Sequence, residues 1–379
     1  MNAAPVIKTH WTGDPAEQEA LLEKEWLVTN GLGGYASGTL AGVPTRRYHS
    51  VITASLPAPQ GRYVMLNHLS EWLRFPDGGT ERIGGVEWAG GAMELQGTDG
   101  LREFRLESGV PVWRYELRGH VLEKWILMPH LQNTVHVGYR LLSGTGPLRI
   151  ELRVAVHFRG HGASLCEGLP VNGYDFTTSG QRYEIHAPPL TPLRLHIRGV
   201  NSAFTRETKR FTDVRYRVEE QLGYEAQGDL WSPGYFRTDL SLDGDVVLMA
   251  SLENWETILA LDPTDVYRTE LQRRHRLISV AHAAVRHGGA EHLVLAADQF
   301  IVTPAERLAE MIRTRTAGDE LRTVIAGYHW FTDWGRDTMI SLEGLTLLTG
   351  RYLEAGHILR TFSRHMKDGL IPNLFPEGE

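Results

Sequence analysis

The run YHWFTDWGRD, residues 328–337, concentrates reactive and sugar-like chemistry into ten positions. Trp330, Phe331 and Trp334 stand beside His329, two carboxylates (Asp333 and Asp337), one guanidinium (Arg336) and a glycine (Gly335). Sugar sites use this mixture. Flat rings cover the C–H face of a pyranose, and planar charged groups hold adjacent hydroxyls through forked, charge-assisted hydrogen bonds. A core segment has the same composition when its tryptophans are buried and its arginine is held by a neighbouring acid. The residues alone leave both readings open. Asp333 and Asp337 also suggest a catalytic pair: at i and i+4 of a helix their Cβ atoms lie about 6 Å apart, and glycosidase carboxylates are separated by roughly 5–9.5 Å. Gly335 argues against that pair by beginning or interrupting the helix between them. Two acids on one face also fail to flank a sugar ring from both sides.

Other suggestive spacings resolve to structure. Gly31, Gly33 and Ala36 match the G-x-G-x-x-A of a dinucleotide-binding turn, which needs a helix directly after it and an acid about 20 residues on. The chain continues instead as SGTLAGVPTRRYHSVITASLPAP, rich in β-branched residues, with no Asp or Glu between Glu25 and Glu71. A strand, a glycine-rich bend and a second strand are expected there, the glycines allowing positive φ or close backbone approach. His157 and His161 lie close in HFRGH, and His275, His282 and His287 fall on one predicted helix, but no His-Glu-x-x-His zinc motif occurs and no metal is expected. The single cysteine, Cys166, excludes an internal disulfide framework, fits a reducing compartment and has no activating motif around it.

The elements that must position these residues change character along the chain. From about Leu27 to Glu253 strand patterns follow one another: VWRYELR, VLEKWILM, TVHVGYRLL and LRIELRVAVHF, then QRYEIHA, LRLHIRG, DVRYRVEEQL, FRTDLSL and VVLMASL. Consecutive strands without intervening helices predict a large antiparallel sandwich. After Asp262-Pro263 the period becomes helical: TDVYRTELQRRHRLISVAHAAV, AEHLVLAADQFIV, a third helix from Arg336 to Leu348 closed by Gly350, and a last one ended by Gly369. In that last helix Tyr352, Ala355, Leu359, Phe362 and Met366 recur at steps of three and four. A formal charge of −7 argues against nucleic acid or an anionic membrane as the main partner. No apolar run approaches a membrane span and the N-terminus lacks a signal-peptide core, so a cytoplasmic location is expected.

Three stretches carry a family resemblance. TNGLGGYASGTLAGVPTRRYHSVIT (29–53) resembles the opening motif of the N-terminal domain of bacterial and archaeal-type glycogen debranching enzymes. ADQFIV (297–302) and AGYHWFTDWGRDTMISLEGLTLLTGRY (326–352) resemble the start of that family's catalytic domain, and HMKDGLIPNLFPEGE (365–379) its next block. The resemblance implies an N-terminal β-sandwich over residues 1–260, a linker helix over 261–287, and over 288–379 the first helices of an (α/α) six-hairpin toroid. It implies hydrolysis of α-1,6-linked glucose stubs on glycogen or branched malto-oligosaccharides, with inversion and with no nucleotide, pyridoxal phosphate or metal cofactor. The segment is also similar to the Trp-x-Arg-Asp run of glucoamylase-type enzymes. That similarity gives Trp330, Trp334, Arg336 and Asp337 a substrate-binding role, with Tyr328, Asp333 and Asn373 as secondary candidates. The general acid and base are expected beyond Glu379, so the chain is expected to be truncated and without turnover of its own. A glucoamylase-like or trehalase-like toroid enzyme, or a non-catalytic glucan-binding fragment, stands as the alternative.

Overall fold

The computed structural model describes residues 6–12, 14, 17–166 and 168–374. The first five residues and the FPEGE end of the last quoted block lie outside them. Up to Ser251 the chain builds three sheets in which every described pairing is antiparallel. The five-stranded sheet runs Arg159–Gly160, Gly61–Leu66, Ser50–Leu56, Tyr35–Thr39, Glu25–Thr29. The six-stranded sheet runs Val200–Arg215, Gln227–Leu240, Leu148–Ala155, His68–Arg74, Thr80–Glu87, Met93–Gln96. A nine-stranded sheet starts at Val6–His10 and Leu101–Glu107, passes through Val110–Leu117, His120–Leu127, Thr134–Ser143 and Val246–Ser251, and ends at Asp175–Ser179. Three antiparallel sheets thus share one core. Val28 and Ile52 come to it from the smallest sheet, Leu73, Ile150 and Phe236 from the second, and Val137, Tyr139 and Leu248 from the third.

The nine-stranded sheet is covered on its second face as well. Val110, Val112, Trp125, Leu127, Val247 and Met249 form a separate apolar cluster there, against Tyr267 and Leu271. These two belong to the helix Pro263–Val280, which starts as the sequence indicates: Pro263 takes the first position and the Asp262 carboxylate accepts from Thr264 N at 2.9 Å. Burial on both faces explains the continuous apolar run VVLMA of the strand Val246–Ser251.

Several predicted elements are redrawn. DVRYRVEEQL is a strand only to Arg215 and then turns into the helix Arg217–Gln221, while the long strand Val200–Arg215 hides in a mainly polar sequence. The helix Pro263–Val280 stops before His282, and Ala283–Val285 is a separate short turn. The helices Gln18–Glu23, Trp255–Ile258 and Leu308–Thr316 add to those the sequence indicates. The last helix is Tyr352–Arg364, so Gly369 serves a later turn instead of closing it. Its buried face is Ala355, Ile358, Thr361 and Phe362; Tyr352, Leu359 and Met366 are exposed. Ile358 and Phe362 select that face by packing on Ile301 and Val324, which lie on a two-stranded ribbon of Ile301–Val302 with Thr323–Val324. Among the described residues no helix is long and apolar enough to cross a membrane.

Candidate functional site

The ribbon sets the geometry of residues 328–337. Beyond Val324 the chain makes a tight loop held by Ile325 bridging Asp333, Ala326 N donating to Thr332 O at 2.9 Å and Phe331 N to Gly327 O at 2.9 Å. Tyr328, His329, Trp330 and Phe331 form its tip. The helix Gly335–Leu342 begins immediately after it.

Strands from the glycine-rich motif receive that tip. The Arg62 guanidinium, buried, donates to His329 O and to Phe331 O, both at 2.9 Å. His329 Nε2 lies 2.9 Å from Ser37 Oγ, and its ring stacks near Tyr48 and meets Tyr35 edge-on. Burial holds the His329 imidazole down at about 3, so it is neutral. Gly31 O accepts from Thr303 N at 2.9 Å. Gly31 itself sits at φ +74°, and a Cβ there would stand 2.5 Å from the His130 ring. Gly31 therefore serves close approach to the turn between the strands His120–Leu127 and Thr134–Ser143, while its carbonyl reaches the helical part at Thr303, in keeping with the strand-bend-strand reading. Arg62 lies outside the quoted motif and carries no local signal. Ser37, Arg46 and Tyr48 lie within the motif, and their contacts with the tip come only from the fold.

The seven sequence candidates separate into distinct surroundings. Trp330 is 46% exposed and lies against Tyr48, ring centroids 5.9 Å apart, with the Arg46 guanidinium 5.5 Å above it. Trp334 meets Phe331 edge-to-face at 5.6 Å, and Phe331 is also 46% exposed. The two tryptophans thus make separate contacts, and Phe331 is an open ring that the sequence reading left unassigned. Tyr328 is turned inward between Tyr35 and Phe300, its hydroxyl buried without a hydrogen-bond partner and its phenol pushed well above its ordinary value by that burial. Asp333 is buried too. It pairs with the Arg307 guanidinium and accepts from Thr323 Oγ1 at 3.0 Å. It does not share a helix with Asp337, because the helix begins at Gly335.

Arg336 and Asp337 occupy the first turn of that helix, with side chains 65% and 41% exposed and the ions 3.6 Å apart. Such an open pair contributes about 0–1 kcal/mol. Asp337 Oδ2 is nevertheless shielded and has no hydrogen-bond donor. Asn373 caps the helix from outside: its carbonyl accepts from Gly335 N at 2.9 Å and its side-chain oxygen from Arg336 N at 3.0 Å. Gly335 is required by this packing, since a Cβ there would stand 2.2 Å from Pro372 O. Among the described residues no group of three or more His, Cys, Asp or Glu is gathered to hold a metal ion.

Comparison with known proteins finds two matching stretches of the chain. The family model described as glycogen debranching enzyme N terminal matches residues 24–247, and that described as amylo-alpha-1,6-glucosidase matches residues 295–379. The glycogen debranching enzyme of Saccharomyces cerevisiae is 41% identical over 66 residues, which span 16% of this chain and 4% of the yeast protein. Among solved structures, a protein assigned as a kojibiose phosphorylase from the human microbiome aligns over 78% of this chain and 41% of its own, with a TM-score of 0.40 and 7% identity. A bacterial glucoamylase complexed with acarbose aligns over 78% and 42%, with a TM-score of 0.39 and 7% identity.

Proposed function

The chain belongs to the glycogen debranching enzyme family, and on that premise we propose that it acts on branched glucans by gripping the terminal glucose of an α-1,6-linked stub. Arg336 and Asp337 form the polar grip, and Trp330 and Trp334 offer the apolar surfaces. The observation that carries this reading is the state of the pair itself. Two charged side chains sit exposed at a capped helix start, 3.6 Å apart and without a close ion pair between them. The exposed part of the Asp337 carboxylate accepts from a sugar hydroxyl, and the guanidinium fork donates to a neighbouring one. Tyr328, Asp333 and Asn373 support the segment from behind.

Inverting hydrolysis needs a general acid and a general base roughly 6.5–9.5 Å apart. Asp333 is committed to Arg307, so the Asp333–Asp337 pair is given no catalytic role, and the same observation favours glucan binding without turnover as the second reading. We read residues 1–260 as a β-sandwich domain, 261–287 as its connecting helix and 288–379 as the opening of an (α/α) toroid. The family's activity requires no nucleotide or metal, and a cytoplasmic location fits the lone cysteine.

Calorimetric titration with panose, a trisaccharide ending in one α-1,6-linked glucose, tests the grip. Arg336→Lys keeps the charge and loses the fork. A charged hydrogen bond contributes about 1.5–3 kcal/mol, so affinity falls roughly 10- to 100-fold while the melting temperature stays as in the parent. Earlier melting with parental panose affinity makes the pair structural and ends the proposal.

A further inference from the structure

The outer face of the six-stranded sheet carries a groove of about 430 Å³ lined by residues from all six strands. Alternation puts Leu73, Ile150 and Phe236 into the core and leaves their neighbours facing out. Register sets Arg237, Glu151, Trp72 and Arg82 side by side across four strands, with Arg153 beside Tyr235 in the next row. We infer that this groove is a second glucan-binding surface, separate from the Arg336–Asp337 site, which takes a linear stretch of neutral α-glucan laid across the strands.

Charge balance points to a neutral ligand. Each carboxylate lining the groove is paired with a cation: Glu151 with Arg74 at 2.8 Å, Glu94 with Arg82 at 2.9 Å, Glu207 with Arg153, and the buried Glu71 with Lys124 at 2.8 Å. Lys209 adds one cation at the rim, above the Phe211 ring. An anion must break those pairs and then meet the freed acids, whereas hydroxyls use both partners as donors and acceptors. The aromatic component is present as well. The Arg82 guanidinium lies 3.6 Å from the centre of the Trp72 ring and that of Arg153 5.0 Å from the centre of Tyr235. Both pairs are open to solvent on the acid side, Glu94 and Glu207 being 52% and 62% exposed against 27% and 14% for Arg82 and Arg153. A sugar ring can therefore displace each guanidinium from its aromatic face and gain it as a hydrogen-bond donor. Arg82 Nε, shielded and without a partner, is one such donor.

Dimensions favour a chain over a single stub. Six strands spaced about 4.8 Å apart span about 24 Å, so the groove holds several sugar units while the Arg336 site takes a terminus. That the saccharide is a glucan rests on the function proposed above; the neutrality and length follow from the groove alone.

Native electrophoresis of the 379-residue chain through gels containing soluble amylopectin tests this. The parent chain is retarded, and Trp72→Ala with Tyr235→Ala loses the retardation, its apparent Kd rising at least tenfold. Trp72→Phe keeps most of the retardation, and a carboxymethyl-dextran gel retards none of them. Tyr235→Ala alone, tested beside it, gives a partial loss should the double variant melt early. Panose titration of the groove variants stays parental, because the stub is held elsewhere. Parental retardation of the groove variants overturns the inference, as does its abolition by Arg336→Ala alone. Groove-dependent retardation of a chain that ignores panose leaves the groove standing and removes the Arg336 reading.

Discussion

Asp333 and Asp337 stand four residues apart and have opposite surroundings. Asp333 is an interior anion facing Arg307 and Thr323; the Asp337 side chain is 41% exposed and lies 3.6 Å from the Arg336 guanidinium. The first is a matter of stability. Asp333→Asn removes the carboxylate that neutralises a buried guanidinium, and breaking such a pair costs about 3–5 kcal/mol. Urea denaturation is expected to show that loss, with panose affinity of the remaining folded protein unchanged. A parental unfolding midpoint with lost binding would place Asp333 in the site instead. Nothing in the letters T-D-W-G-R-D separates the two acids, because Arg307 lies 26 residues upstream and reaches Asp333 only through the fold.

Among the elements, the helix Gly335–Leu342 depends most on distant residues. Its start is closed by Asn373 and pressed against Pro372 O. Gly335→Ala puts a methyl group 2.2 Å from that carbonyl. Shifting the 372–374 segment to admit it costs about 1–3 kcal/mol by analogy with overpacked sites and loosens the cap. Calorimetry should therefore find a lower melting temperature together with weakened panose binding, since Arg336 moves with the first turn. An alanine variant that melts and binds like the parent excludes this account. The helix Tyr352–Arg364 shows the same dependence on context. Its apolar period is legible in the sequence, yet the face that is buried is chosen by Ile301 and Val324.

At the scale of the whole molecule, buried neutral histidines dominate the response to acid. Burial holds His68 and His136 at about 4 and His161 and His329 at about 3, against an ordinary value of 6.5. Their folded values are depressed, so the stabilising contribution is complete above 6.5 and falls with pH as the unfolded chain takes up protons that the native state refuses. Each histidine then costs about 1.4 kcal/mol by pH 5.5, and four cost about 5–6 kcal/mol. Asp298 adds a lower window. Burial raises its carboxyl, but Arg273 and Arg351 overcome this and hold it at about 2, so its contribution is lost between about 4 and 2. The urea midpoint should fall steeply between pH 7.5 and 5.5, well before the carboxylates titrate. Equal midpoints at those two pH values would contradict the burial of these imidazoles.

By itself the sequence determined the order of strands followed by helices, the antiparallel habit, the cap at Asp262-Pro263 and the segment 328–337 as the place to look for sugar chemistry. These depend on local spacing, turn residues and alternation, which act over a few residues and are therefore visible in the string. Tertiary structure decided which of the clustered groups are exposed. It buried the Tyr328 hydroxyl and Asp333, made Asn373 a helix cap, set Arg62 and Ser37 behind the tip from 267 and 292 residues away, and aligned Trp72 with Arg82 across a strand pair. Burial and cross-strand register are properties of surfaces meeting in three dimensions, and no spacing along the chain encodes them.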